Sequence, residues 1–140
     1  MVREVRDLAR RFGIPEAVFA GLEAVTAPNQ GTVFLATPEV MRFDAVRPLR
    51  RGIRFCRLFP HSVKPTSHAM QLLGRHATRN CIEVSRADAV RLVAGGQLEV
   101  ETGCDDGFVL IRCEGFTIGV GLYHRPVLKS QIPRHRPVDG

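Results

Sequence analysis

GFVLIRCEGFTIGVGLYHRPVLKSQIPRHR, residues Gly107 to Arg136, is the stretch on which the reading of this chain turns. It places three apolar runs, GFVLIRC, FTIGVGLY and PVLKSQI, back to back with turn residues between them, which predicts successive short strands. It then closes on Pro133, Arg134 and Arg136, with Pro137 just beyond, a segment with little backbone freedom and much charge. Upstream, CIEVS reads as a strand. Ser85 can cap RADAVRLVAGG as a helix with Ala89, Val90 and Val93 inward, and Gly95-Gly96 ends it before the strand QLEVE. A strand, one helix and then several short strands predict a small mixed β-barrel from about Cys81 to Arg136.

Toward the N-terminus the period changes. REVRDLARRFG carries Val5, Leu8 and Phe12 at helical spacing and stops at Gly13, and AVFAGLEAV predicts a second helix with Val18, Leu22 and Val25 on one side, opened by Pro15. TVFLAT, between Gly31 and Pro38, is β-branched and aromatic, hence a strand. PEVMRFDAVRPLRRG reads as a short helical pattern and a basic turn, and IRFCRLF as a largely buried strand whose alternation puts Arg54 and Arg57 on opposite faces and Phe55 opposite Arg54. KPTSHAMQLLGR has Ser or Thr ahead of an apolar run and Gly74 behind it, a capped helix. The polar stretch GRHATRN divides the chain into an N-terminal α/β subdomain, 1–76, and a barrel, 77–140, an α+β protein.

The 140 residues are 44% hydrophobic, enough for a core, and 20 Lys and Arg against 14 Asp and Glu leave a net charge of +6, which favours polyanionic partners. No apolar run approaches the roughly 20 residues of a membrane span and the N-terminus is charged, so the expectation is a cytoplasmic chain with no membrane partner. Cys56, Cys81, Cys104 and Cys113 form no CxxC pair, and His61, His68 and His76 stand seven and eight residues apart with no carboxylate between them, so no metal site is expected. Ser67-His68 are adjacent on a helix and point apart, and Asp105-Asp106 belong to a turn, so no catalytic residue is assigned.

The block CIEVSRADAVRLVAGGQLEV, followed by GFVLI, by the run of Gly115, Gly119 and Gly121, and by LKSQIPR, resembles the PUA domain, an RNA-binding pseudobarrel. The upstream block, from GTVFLATPEVMRF to PTSHAMQLLG, is similar to the region before the PUA-like domain in Sun-family RNA cytosine-C5 methyltransferases. That family's glycine-rich cofactor loop and its Pro-Cys motif have no counterpart here. The resemblance therefore implies RNA docking without an enzyme or a cofactor: a non-catalytic binder of structured rRNA or tRNA. The alternatives are an RNA-docking subunit acting in trans for a methyltransferase, and a protein-interaction module of ribosome assembly, with an RNA-modifying enzyme or ribosomal particle as further partner. It also implies that RNA lies along the barrel helix and the returning C-terminal segment, where Arg79, Arg86, Arg91, Lys129, Arg134 and Arg136 stand. A secondary RNA-binding set is Arg50, Arg51 and Arg54, in an arginine run with no interleaved acids and with Phe55 and Phe59 beside it, aromatics that could stack on bases but that the alternation assigns to the core. For the three glycines two readings stay open, barrel geometry and close approach of a phosphate backbone; for the terminal cations, phosphate contact and a solvated tail.

Overall fold

The computed structural model describes residues 2–27, 31–38 and 52–133. Helix α1 (Arg3–Phe12) opens the chain and buries Val5, Leu8, Ala9 and Phe12 on one stripe. It stops where expected: Gly13 adopts φ +61°, and a Cβ there would collide with Thr78. The second predicted helix is not formed. Glu16–Phe19 makes a single 3-10 turn, Gly21 reverses the chain at φ +80°, and Glu23–Ala27 becomes strand β1, antiparallel to β2 (Thr32–Ala36). The apolar spacing of Val18, Leu22 and Val25 was compatible with a helix, but the open edge of β2 satisfies the backbone of residues 23–27 by ladder bonds instead.

Strand β3 (Ile53–Phe59) pairs with β2, and β4 (Ser62–Pro65) turns back on β3 through the two-residue loop Pro60-His61, completing a four-stranded antiparallel sheet in the order β1-β2-β3-β4. Helix α2 (Ser67–Leu73) follows directly, capped by Thr66, whose hydroxyl accepts from the Ala69 amide at 3.2 Å. The helical pattern and basic turn read over 38–52 fall almost wholly outside the described residues.

The C-terminal half is the anticipated curled sheet: β5 (Cys81–Glu83), helix α3 (Arg86–Val93), β6 (Gln97–Glu99), β7 (Gly107–Cys113), β8 (Phe116–His124) and β9 (Val127–Ser130), in the order β5-β7-β8-β9-β6 with β5 parallel to β7. The α+β class and the one-helix barrel thus hold. Ser85 caps α3, its hydroxyl accepting from the Asp88 amide at 3.2 Å, but the helix turns differently from the expectation. Leu92 is the residue driven into the barrel, whereas Val90 and Val93 are 70% and 49% exposed and share an apolar groove with Phe116.

The continuous apolar run in β7 has a physical cause, burial on both faces. Val109 and Ile111 point into the barrel with Ile82, Leu92, Tyr123 and Leu128, while Leu110 points the other way and joins Val120 in the core built on α1, β2 and Phe55. Barrel geometry accounts for Gly121, where a Cβ would sit 2.7 Å from Leu128 Cδ1 and 3.0 Å from Ile111 Cδ1, and for Gly119, crowded by Ile132 and by Ser67 Oγ. Gly115, at φ +83° after Glu114 at +52°, is the second residue of the two-residue β7–β8 turn, both in the left-handed region that such hairpins require.

Two arginines tie the halves together. Arg11 donates from Nε to the Phe108 carbonyl at 2.7 Å and from Nη2 to the Asp105 and Asp106 carbonyls. Arg112 reaches from β7 to the carbonyls of Gly74 and, at 2.8 Å, Ala77.

Candidate functional site

The site begins with a defect in strand pairing. In β2 and β3, Val33 faces Cys56 but Phe34 faces Arg54, so Phe55 is an extra residue in β3. Phe55 and Cys56 are consequently both fully buried, and Arg54 and Arg57 on either side of them emerge together. The expectation of opposite faces for the two arginines is corrected by this bulge; the burial of Phe55 is as expected, whereas Phe59, also expected in the core, is 48% exposed because it shares the outward face of Arg57. Both arginines line one cavity of about 490 Å³, open to solvent between the β3–β4 hairpin, the start of α2 and the C-terminal segment.

The hairpin supplies a third cation. Cross-strand register sets Lys64 directly opposite Arg57, and its ammonium donates to Gln131 Oε1 at 3.0 Å. His68 on the first turn of α2 completes the basic lining, with Thr66 and Ser67 as hydroxyl neighbours and Gln131 and Pro133 as the far wall. Ser67 is itself occupied, its buried hydroxyl accepting from the Val120 amide at 3.0 Å. Among the described residues that line the cavity there is no carboxylate. A lining of this composition favours anions and can neutralise several phosphates at once.

The arginine run enters the cavity through Arg54 and Arg57, and Gln131 and Pro133 come to it from the C-terminal segment. Arg50, Arg51, Arg134 and Arg136 lie outside the described residues. Lys64 was missed because a lone lysine in SVKP carries no cluster signal; reading Pro60-His61 as a two-residue turn would have paired it with Arg57 by counting.

The remaining predicted cations occupy separate places on the barrel. Arg79 is exposed beside Gly13 and lines a groove with Cys81, Thr102 and Cys104. Arg86 is held by Glu114, Nε to Oε1 at 2.7 Å and Nη2 to Oε2 at 3.1 Å, a fork that raises the guanidinium pKa. The stem of Arg91 lies over Gly96, and Lys129 stands opposite Gln97, so these two flank the same segment.

Among the thiols, burial pushes Cys56 up to about 12 and also raises Cys81, against the opposing pull of Arg112. All four cysteines are free, and among the described residues no three His, Cys, Asp or Glu gather as metal ligands. Nor is any described helix long and apolar enough to cross a membrane.

Comparison with known proteins places the barrel. Residues 79–136 match the family model of the methyltransferase RsmF PUA domain. The PUA match runs from just before β5 through the segment after β9, and the recognition of a PUA-like barrel from its glycine and strand order is thereby shown. A weaker similarity extends further upstream: the chain is 26% identical over 113 residues to the ribosomal RNA small subunit methyltransferase F of Aeromonas hydrophila subsp. hydrophila, covering 75% of this chain and 24% of that protein. The chain thus spans about a quarter of the length of the curated relative it matches. The hairpin carrying Arg54, Arg57 and Lys64 lies upstream of the PUA match.

Proposed function

We propose that this chain is an RNA-binding protein that docks structured ribosomal RNA through the basic cleft between the β3–β4 hairpin, the start of α2 and the C-terminal segment. The observation that carries the reading is the cleft itself: Arg54, Arg57, Lys64 and His68 converge, with no carboxylate among the described lining residues, beside a barrel that matches an RNA-methyltransferase PUA domain. Phosphate contacts from such a cluster position an RNA without needing a catalytic group. The alignment with a quarter of a ribosomal RNA methyltransferase favours a specific role, an RNA-docking part that serves a methyltransferase, with the chemistry carried by that enzyme.

The test is fluorescence anisotropy with a labelled hairpin from small-subunit ribosomal RNA. Reversing Arg54, Arg57 and Lys64 to Glu is expected to weaken binding by 10-fold or more, roughly the loss of several phosphate contacts. Reversing Arg79, Arg91 and Lys129 instead should have the smaller effect. If the second set abolishes binding and the first leaves it intact, the RNA lies along the barrel helix and the cleft is not the site.

A further inference from the structure

We infer that the outer face of the β3–β4 hairpin is a seat for an unpaired nucleotide, with Phe59 as the stacking platform and Arg54, Arg57 and Lys64 as its phosphate contacts. The inference rests on the RNA-binding reading of the cleft and names the form of RNA that the cleft takes.

Strand parity assembles the seat. Arg57 and Phe59 are two residues apart on β3 and share a face, Lys64 faces Arg57 across the hairpin, and Ser62 faces Phe59. Phe59 is 48% exposed, whereas Phe12, Phe19 and Phe55 are at most 5% exposed, so this ring is left out of a core that takes the others. It is not free to wander: the Arg57 guanidinium lies over it, 6.0 Å from the ring centroid, which orients the ring beside the cations. An exposed aromatic flanked by cations on a β surface offers a face to a base and charge to the phosphates that follow it. A base inside a duplex has both faces covered by its neighbours, so only an unpaired one can use the ring. Phe116 is more exposed, at 75%, but the cation that shares its groove, Arg86, is paired with Glu114, and the rest of that groove is apolar. The hairpin therefore combines the two requirements and the Phe116 groove does not.

The experiment compares a labelled single-stranded oligouridylate of about a dozen nucleotides with a blunt RNA duplex of the same length, in anisotropy titrations of the full chain. The single strand is expected to bind the tighter. Phe59→Ala should lower its affinity roughly 5- to 150-fold, the usual loss on removing one stacked base contact, and leave duplex affinity unchanged. Phe59→Tyr should restore single-strand binding, and because the ring is on the surface both variants should keep the wild-type melting temperature. Equal binding of both RNAs with no effect of Phe59→Ala would overturn the seat while leaving a phosphate-only cleft in place. Should the wild-type chain bind neither RNA, the RNA-binding reading fails together with it.

Discussion

Cys56 illustrates how a single residue answers to packing that its neighbours in sequence do not reveal. It sits in β3 between two arginines, yet the bulge turns it inward with Phe55, fully buried, opposite Val33 and Pro65. Desolvation, with a smaller push from Glu4, raises its pKa from the ordinary 9.0 to about 12. The sign follows from proton binding: between those values the folded chain keeps a proton that the unfolded chain gives up. The stability owed to the thiol is complete below about pH 9 and falls as pH rises toward 12. We expect urea denaturation to show the wild type losing up to about 1.4 kcal/mol per pH unit more than Cys56→Ala between pH 9 and 11. Equal slopes would show that Cys56 is not what titrates. In the sequence the apolar character of IRFCRLF was plain, but the extra residue was not, because a bulge belongs to the pairing of two strands.

At the scale of elements, β7 shows why a short apolar run can be read as a strand and still conceal its main task. The sequence VLI announces burial on both faces, and both faces are indeed covered. The Arg112 that follows gives no such announcement. Its guanidinium donates to the carbonyls of Gly74 and Ala77, fastening the turn after α2 onto the barrel. Arg112→Met keeps the apolar stem and removes these donors, which is expected to cost about 1.5–3 kcal/mol, the range for hydrogen bonds from a charged group. The chemical denaturation midpoint checks this, and a loss below about 0.5 kcal/mol would mean the carbonyls find other partners. The second predicted helix failed at the same scale: its spacing fitted a helix, but an open strand edge nearby provided more hydrogen bonds than an isolated short helix could.

For the whole molecule, the cations of the β3–β4 hairpin gather in one cleft while those of the barrel stay apart. If Arg54, Arg57 and Lys64 each neutralise one phosphate of a bound single strand, log K should fall against log salt with a slope of about −2, near −0.7 per contact. The Arg54, Arg57 and Lys64 reversal should flatten that slope while the melting temperature falls little, since Arg54 and Arg57 are exposed and the half-buried Lys64 loses one hydrogen bond, to Gln131. A slope that survives the reversal would put the phosphates elsewhere on the chain. The sequence by itself determined what depends on local order: the strand and helix succession of the barrel, the capped helices at Ser85 and Thr66, the glycine turns, and the PUA resemblance that the family match shows. Only the tertiary structure decided which groups act together beyond a single hairpin. The Arg57–Lys64 pair can be counted across Pro60-His61, but Arg54 joins it through a bulge and Gln131 closes the cleft from 67 positions beyond Lys64, while Arg86 is taken by a glutamate 28 positions away. Contacts of that range are set by how the sheets pack, and no periodicity within either segment encodes them.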